Sequence, residues 1–152
     1  MVIWFTGQPG SGKTTLALEI IKQLDHSKFI HIDGDDLRDL MDNKDYSREG
    51  RIANIRLAQN IALFLEKKGF IPIASFVSPY RYLREELKKK TNVIEIYVHT
   101  ADVRGKEAFF VKDYNPPTKN FINMNTTHKT IKESADEVLN VYREMATMAS
   151  RS

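Results

Sequence analysis

Apolar residues fall into short unbroken runs, separated by segments in which they recur every three or four positions. The run Val2-Ile-Trp-Phe-Thr6 reads as a buried strand ending at Gly7. Over 13–25 the apolar positions are Leu16, Ala17, Ile20, Ile21 and Leu24, which is helical spacing. Lys28 to Ile32 predicts a second strand, closed by Asp33-Gly34-Asp35, and Leu37, Leu40 and Met41 predict a short helix after it. The longest helical pattern covers 47–68, with Ile52, Ile55, Ala58, Ile61, Ala62 and Leu65 as its stripe and Gly69 as its stop. Residues 70–77 predict a third strand, in which Pro72 must lie near the start or on an edge. A helix over 79–90 takes Pro79 into its first turn, and a fourth strand covers 93–98. After an irregular polar stretch at 101–119, a fifth strand is expected at 120–124 and a last helix at 128–149. Strand and helix in alternation predict an α/β fold, a parallel sheet covered on both faces. No repeat, linker or low-complexity segment interrupts the pattern, so 1–152 reads as one domain.

Composition narrows the function classes. A chain of 152 residues with 41% hydrophobic content can bury a core without staples. The formal net charge of +3 is carried by no basic tract, which argues against a nucleic-acid partner and suits a small anionic substrate. The absence of cysteine excludes disulfides, thiolate metal sites and cysteine nucleophiles. The N-terminus has no basic region ahead of its apolar stretch, and no apolar run approaches the ~20 residues of a membrane helix. These features predict a cytoplasmic protein without a membrane partner.

The chemistry begins at Gly7-x-x-x-x-Gly12-Lys13-Thr14, between a predicted strand and a predicted helix. Glycines let the backbone curl so that successive N–H groups face an anion, and the following helix turns its positive end to the same spot. The lysine can bridge terminal phosphates and the threonine hydroxyl can reach Mg²⁺. The candidate ATP ligands are Gly7, Gly10, Ser11, Gly12, Lys13, Thr14 and Thr15. A glycine-rich turn that binds nothing is the alternative.

Three further clusters lie downstream. Asp33-Gly34-Asp35 sits where strand two ends, at the carboxyl edge where open α/β sheets bind ligands. Two carboxylates there can hold Mg²⁺ through water and accept a hydroxyl proton; alone, the same residues fit a solvated turn. Arg38 follows Asp35 by three residues, and Arg51 and Asn54 share a helix face that could grip an anion and a base edge or simply meet solvent. Ser78-Pro79-Tyr80-Arg81 ends strand three, where Ser78 could cap the next helix or frame an anion with neighbouring N–H groups.

Together these clusters resemble the adenylylsulfate kinase family, which phosphorylates the 3′-hydroxyl of adenosine 5′-phosphosulfate with MgATP. That family carries a phosphate loop, then Asp-Gly-Asp-Asn-x-x-Arg, Phe-Ser-x-x-x-Arg-x-x-Asn-Ile-Arg and Phe-Ile-Ser-Pro-Tyr-Arg. Here the segments read Gly7 to Thr15, Asp33-Gly-Asp-Asp-Leu-Arg38, Tyr46-Ser47 with Arg51 and Asn54-Ile-Arg56, and Phe76-Val-Ser-Pro-Tyr-Arg81. The resemblance implies a P-loop kinase fold of three αβα layers around a five-stranded parallel sheet. It makes Asp35 the base or orienting group for the attacking hydroxyl, with Lys13 at the phosphates, and Thr14 and Asp33 at the metal. It gives the acceptor nucleotide to Asp35, Arg38, Tyr46, Arg51 and Asn54, with Val77 and Ser78 at its 5′ anionic group. Ser78 also matches the family's candidate phosphoserine, although direct in-line transfer needs no serine nucleophile. By position, Thr126 and Thr127 are candidates for the ATP base. Relatives of this kind are often dimers, which puts a homodimer among the expectations.

The likeness weakens after residue 100. The family's lid, Arg-Asp-x-Lys-Gly-Leu-Tyr-x-x-Ala-Arg, is reduced here to Val103-Arg-Gly-Lys-Glu-Ala-Phe-Phe-Val-Lys-Asp113. Arg104, Lys106 and Lys112 could supply lid charge, and Phe109 or Phe110 could replace the aromatic that covers the acceptor base; a plain solvated loop is the alternative. Lid shape bears on acceptor choice. A second acceptor is therefore carried: cytidine diphosphoramidate, the substrate of a capsule-pathway relative. A nucleotide-sensing module without turnover and a sugar kinase are the other classes. The intact Lys13, Thr14, Asp33, Asp35 and Arg38 argue against the first, and the Arg51–Asn54 and Ser-Pro-Tyr-Arg clusters argue against the second.

Overall fold

The computed structural model describes residues 1–151, with side chains through Met148. Five strands form one sheet: β1 (Val2–Thr6), β2 (Phe29–Asp33), β3 (Ile71–Ser75), β4 (Val93–His99) and β5 (Ile122–Asn125). Their order across the sheet is β2-β3-β1-β4-β5, and every pairing is parallel. Parallel strands need crossovers, and the helices supply them. These are α1 (Lys13–Gln23), α2 (Gly34–Leu40), α3 (Arg48–Lys67), α4 (Arg81–Lys90) and α5 (Ile131–Arg151).

The centre of the sheet explains the unbroken apolar run at the N-terminus. All five residues of β1 are buried, because helices cover both faces. Successive side chains of a strand point to opposite faces. Ile3 and Phe5 pack with Leu16, Ala17 and Ile20 of α1 and with Ala135, Val138 and Leu139 of α5. Val2 and Trp4 pack with Leu37 of α2, Ile55, Ala58 and Ala62 of α3, and Leu83 and Leu87 of α4. Three layers result, as the family resemblance implies.

The element ends differ from the sequence pattern where capping decides them. Helix α3 stops as expected at Gly69, where Phe70 N–H donates to Leu65 O and Gly69 N–H to Glu66 O, a Schellman closure. Strand β3 ends at Ser75, and α4 begins only at Arg81 with Tyr80 as its N-cap. Ser78 therefore does not cap α4; it holds a left-handed φ of 45°, which turns the chain between strand and helix. Between β4 and β5, the only regular element in 101–119 is a three-residue 3₁₀ turn at Glu107–Phe109.

Candidate active site

The carboxyl ends of β1, β2 and β3 meet at one edge of the sheet. The loop after β1 carries the phosphate motif. Gly7 must be glycine there, because a Cβ would lie 2.2 Å from the Val98 carbonyl oxygen. Gly12 is the N-cap of α1 at φ 104°, in the left-handed region that favours glycine. Lys13 opens the helix with its side chain buried, and Nζ donates to the Gln8 carbonyl at 2.9 Å and to Ser11 Oγ at 3.4 Å. Burial lowers its pKa from 10.5 to about 8, against the opposing pull of the Asp35 and Asp33 carboxylates.

Those carboxylates are delivered by β2. Asp33 is its last residue, and α2 begins at the next position. Asp33 Oδ2 caps α2 by accepting from Asp36 N–H at 3.1 Å, while Oδ1 accepts from Thr14 Oγ1 at 3.0 Å. A hydroxyl and a carboxylate held side by side are hard oxygen donors of the kind Mg²⁺ takes together with phosphates. Among the described residues there is no group of three or more His, Cys, Asp or Glu able to hold a metal alone. Asp35 stands exposed in the first turn of α2, near enough to Lys13 to act on its charge.

The expected acceptor residues form two groups. Arg38 Nη1 donates to Asn43 O at 3.1 Å and Asp45 O at 3.0 Å, and its guanidinium lies 4.1 Å above the Tyr46 ring. Arg38 and Tyr46 are thus one stacked unit. On α3, Arg51 faces Asp113 at 3.8 Å, and Arg48 reaches the same carboxylate at 3.7 Å. One turn on, Asn54 is buried with Oδ1 lacking a hydrogen-bond partner among the described residues. Phe109 joins neither group: it is 67% exposed, and its described ring contact is the Lys106 ammonium at 5.9 Å.

Val77 and Ser78 are stitched to the phosphate loop. Thr6 Oγ1 donates to Val77 O at 2.8 Å, and Gly7 N–H donates to the same oxygen at 3.3 Å. Since the single Thr6 hydroxyl proton is spent there, Tyr114 must donate in its 2.6 Å bond to Thr6 Oγ1. Burial raises the Tyr114 pKa well above its usual range, so the phenol keeps that proton. Ser78 Oγ is buried and has no hydrogen-bond partner among the described residues. The Ser78 carbonyl accepts from Arg84, whose Nε donates to Glu95 Oε2 at 2.7 Å inside the protein.

Thr6, Arg84, Glu95 and Tyr114 were not singled out by sequence. The one available signal was a lone glutamate in the middle of an apolar strand, Val93 to Val98. An arginine on the neighbouring helix pairs with it, as a buried charge demands.

Behind the phosphate loop lies a cavity of about 250 Å³, lined among others by Thr15, Arg104, Thr126, Ile131 and Ser134. Ser134 Oγ is buried there without a partner among the described residues. Of the two threonines after β5, Thr126 lines this cavity, while Thr127 Oγ1 accepts from Ala101 N–H at 2.8 Å.

A phosphate loop, an adjoining hydroxyl–carboxylate pair and a sheet ordered β2-β3-β1-β4-β5 define a P-loop kinase. Residues 1–112 match the adenylylsulphate kinase family, and the chain belongs to it. The chain is 32% identical to the adenylyl-sulfate kinase of Staphylococcus haemolyticus, over 91% of this chain and 82% of that one. It is also 32% identical to the cytidine diphosphoramidate kinase of Campylobacter jejuni, over 91% and 85%. The fold matches that of the Mycobacterium tuberculosis APS kinase CysC in complex with AMPPNP and APS, with a TM-score of 0.79, 24% identity, and 93% and 96% of the two chains covered. The family's chemistry is phosphoryl transfer to an alcohol. No described helix is long and apolar enough to cross a membrane.

Proposed function

We propose that this chain transfers the γ-phosphate of ATP to the 3′-hydroxyl of a 5′-modified nucleotide, with adenosine 5′-phosphosulfate as the first acceptor. One observation carries the reading: Thr14 Oγ1 of the phosphate loop donates to Asp33 Oδ1 at 3.0 Å, which ties the loop to the end of β2, with Asp35 two residues further on in the first turn of α2. A base for the hydroxyl and a cation for the phosphates then meet at one edge.

The division of labour follows from these positions. Backbone N–H groups from Gly10 to Thr15 and the Lys13 ammonium hold the phosphates and take up charge as it develops on them. The Thr14 hydroxyl and Asp33 would hold Mg²⁺, which when bound neutralises phosphate charge. Asp35 orients the 3′-hydroxyl and accepts its proton. Transfer is direct: Ser78 Oγ has no described partner to take its proton, so nothing activates it as a nucleophile. Arg51 and Asn54 grip the acceptor, Arg38 and Tyr46 line its approach, and Val77 and Ser78 frame its 5′ end. The cavity behind the loop takes the ATP base, with Thr126 and Ser134 as its polar partners. A cytoplasmic homodimer is the setting that goes with this reading.

A second acceptor, cytidine diphosphoramidate, is favoured by one feature. The Asp113 carboxylate paired with Arg48 and Arg51 takes up part of the positive charge that a sulfate would use, and it offers an acceptor to an N–H. The test is ADP release from MgATP with adenosine 5′-phosphosulfate, cytidine diphosphoramidate, and the plain 5′-diphosphates as controls. Turnover confined to the first supports the reading, and turnover confined to the second replaces its acceptor. No turnover with any of them would leave a nucleotide-binding module.

A further inference from the structure

The side chain of Gln8 reaches across the phosphate loop to the segment that follows the 3₁₀ turn. Its Nε2 donates to Val111 O at 2.9 Å, and its Oε1 accepts from Val111 N–H at 2.9 Å. Both polar groups of one residue are satisfied by both polar groups of another, 103 positions away. A carboxamide is the side chain suited to this, because it carries a donor and an acceptor side by side. Nothing in the phosphate-loop motif requires glutamine here, since the position is one of its four variable residues.

The segment held in this way runs directly into the acceptor side. Val111 itself is buried, two residues ahead of Asp113, which faces Arg51 and Arg48. Tyr114 follows and donates to Thr6. The same segment approaches the phosphate loop from a second direction: Arg104 Nη1 donates to Ser11 O at 3.0 Å, and the Lys106 side chain packs over Gly10. Of these ties, only the one from Gln8 fixes the backbone just before Asp113.

We infer that Gln8 is a positioning residue: by clamping Val111 it sets the Asp113 carboxylate against Arg51 and Arg48, so that affinity for the acceptor is controlled from inside the phosphate loop. The inference rests on the acceptor role proposed for Arg51. Gln8 itself touches neither reacting group. Both polar atoms of its side chain are taken up by Val111, while the anion cradle is formed by backbone groups and Lys13, so removing the side chain spares the donor site.

The experiment is a cycle of Gln8→Leu, Asp113→Asn and the double variant, assayed on the full chain with whichever acceptor the wild type turns over. Gln8→Leu keeps a side chain of similar bulk, one atom shorter, and loses both hydrogen bonds. The expected result is a change in acceptor KM of about fivefold or more, while ATP KM stays within about twofold. On the Asp113→Asn background the Gln8→Leu change should vanish, because the group it acts through is gone. Additive effects, or a shift mainly in ATP KM, would overturn the proposal. Amide hydrogen exchange provides a readout independent of turnover. In Gln8→Leu, exchange at Val111 should quicken by about tenfold or more, with α1 and β1 unchanged. Unchanged exchange at Val111 refutes the clamp whatever the activity. Faster exchange with acceptor KM unchanged keeps the clamp and refutes the acceptor role of Arg51.

Discussion

Thr14 Oγ1 donates to Asp33 Oδ1 at 3.0 Å, joining the first turn of α1 to the end of β2. The two residues are 19 positions apart, and among the described residues neither belongs to a group of three or more His, Cys, Asp or Glu able to hold a metal. Asp33 divides its oxygens between two tasks, one at Thr14 and one at the Asp36 N–H that begins α2. Substitutions at Asp33 should separate those tasks. Asp33→Asn keeps a capping oxygen and should raise the Mg²⁺ concentration needed for half-maximal rate, with stability changed by less than about 0.5 kcal/mol. Asp33→Ala should show the same metal effect and also lose about 1 kcal/mol of stability. Urea denaturation beside a Mg²⁺ titration reads both, and equal stability of the two variants would contradict the division.

Asp35 should separate transfer from binding. Asp35→Asn is nearly isosteric but cannot accept the hydroxyl proton. It should lower kcat by about 10²–10⁴-fold and leave ATP affinity within a few-fold. Undiminished turnover would remove Asp35 from the role proposed for it.

Lys13 should leave a mark on the pH dependence of stability in the protein free of nucleotide and metal. Its pKa falls from 10.5 to about 8 on folding because burial disfavours the charge. Between those values the unfolded chain binds the proton and the folded chain does not, so stability from this group rises with pH. Its slope has an upper limit of about 1.4 kcal/mol per pH unit. Lys13→Met should abolish that rise between pH 8 and 10, as read by chemical denaturation. An identical rise in both proteins would show that the lysine titrates in its ordinary range.

Glu95 should matter to the fold more than its position in a strand suggests. It is almost wholly buried, and its carboxylate is shared by Arg84 and Lys88. Glu95→Gln leaves Arg84 buried without its counter-charge and should cost about 3–5 kcal/mol. Replacing Arg84 as well by Met should recover part of that loss. A cost below about 1 kcal/mol for Glu95→Gln would mean that water reaches the pair.

The parts of the site legible in the sequence were those that lie together in the chain. The phosphate loop is contiguous, and its context between strand and helix follows from the run at Val2 to Thr6 and the periodicity after Lys13. Asp33 and Asp35 were legible because a strand had to end beside them. The role expected of Phe109 depended on the lid segment, where no periodicity constrains the path; the ring stands exposed. Ser78 followed the N-cap pattern, yet the helix begins three residues later, because the chain turns through a left-handed residue first.

Sequence alone determined the α/β alternation, the five strands and the phosphate loop, since local periodicity and glycine spacing act over a few residues. Tertiary structure decided which distant groups meet: Thr14 with Asp33, Thr6 with Tyr114, Arg84 with Glu95, and Gln8 with Val111. The physical reason is that a buried polar group must find a partner, while no pattern along the chain says where. Strand order supplies the answer by bringing the carboxyl ends of β1, β2 and β3 to one edge, with the segment after β4 folded across it.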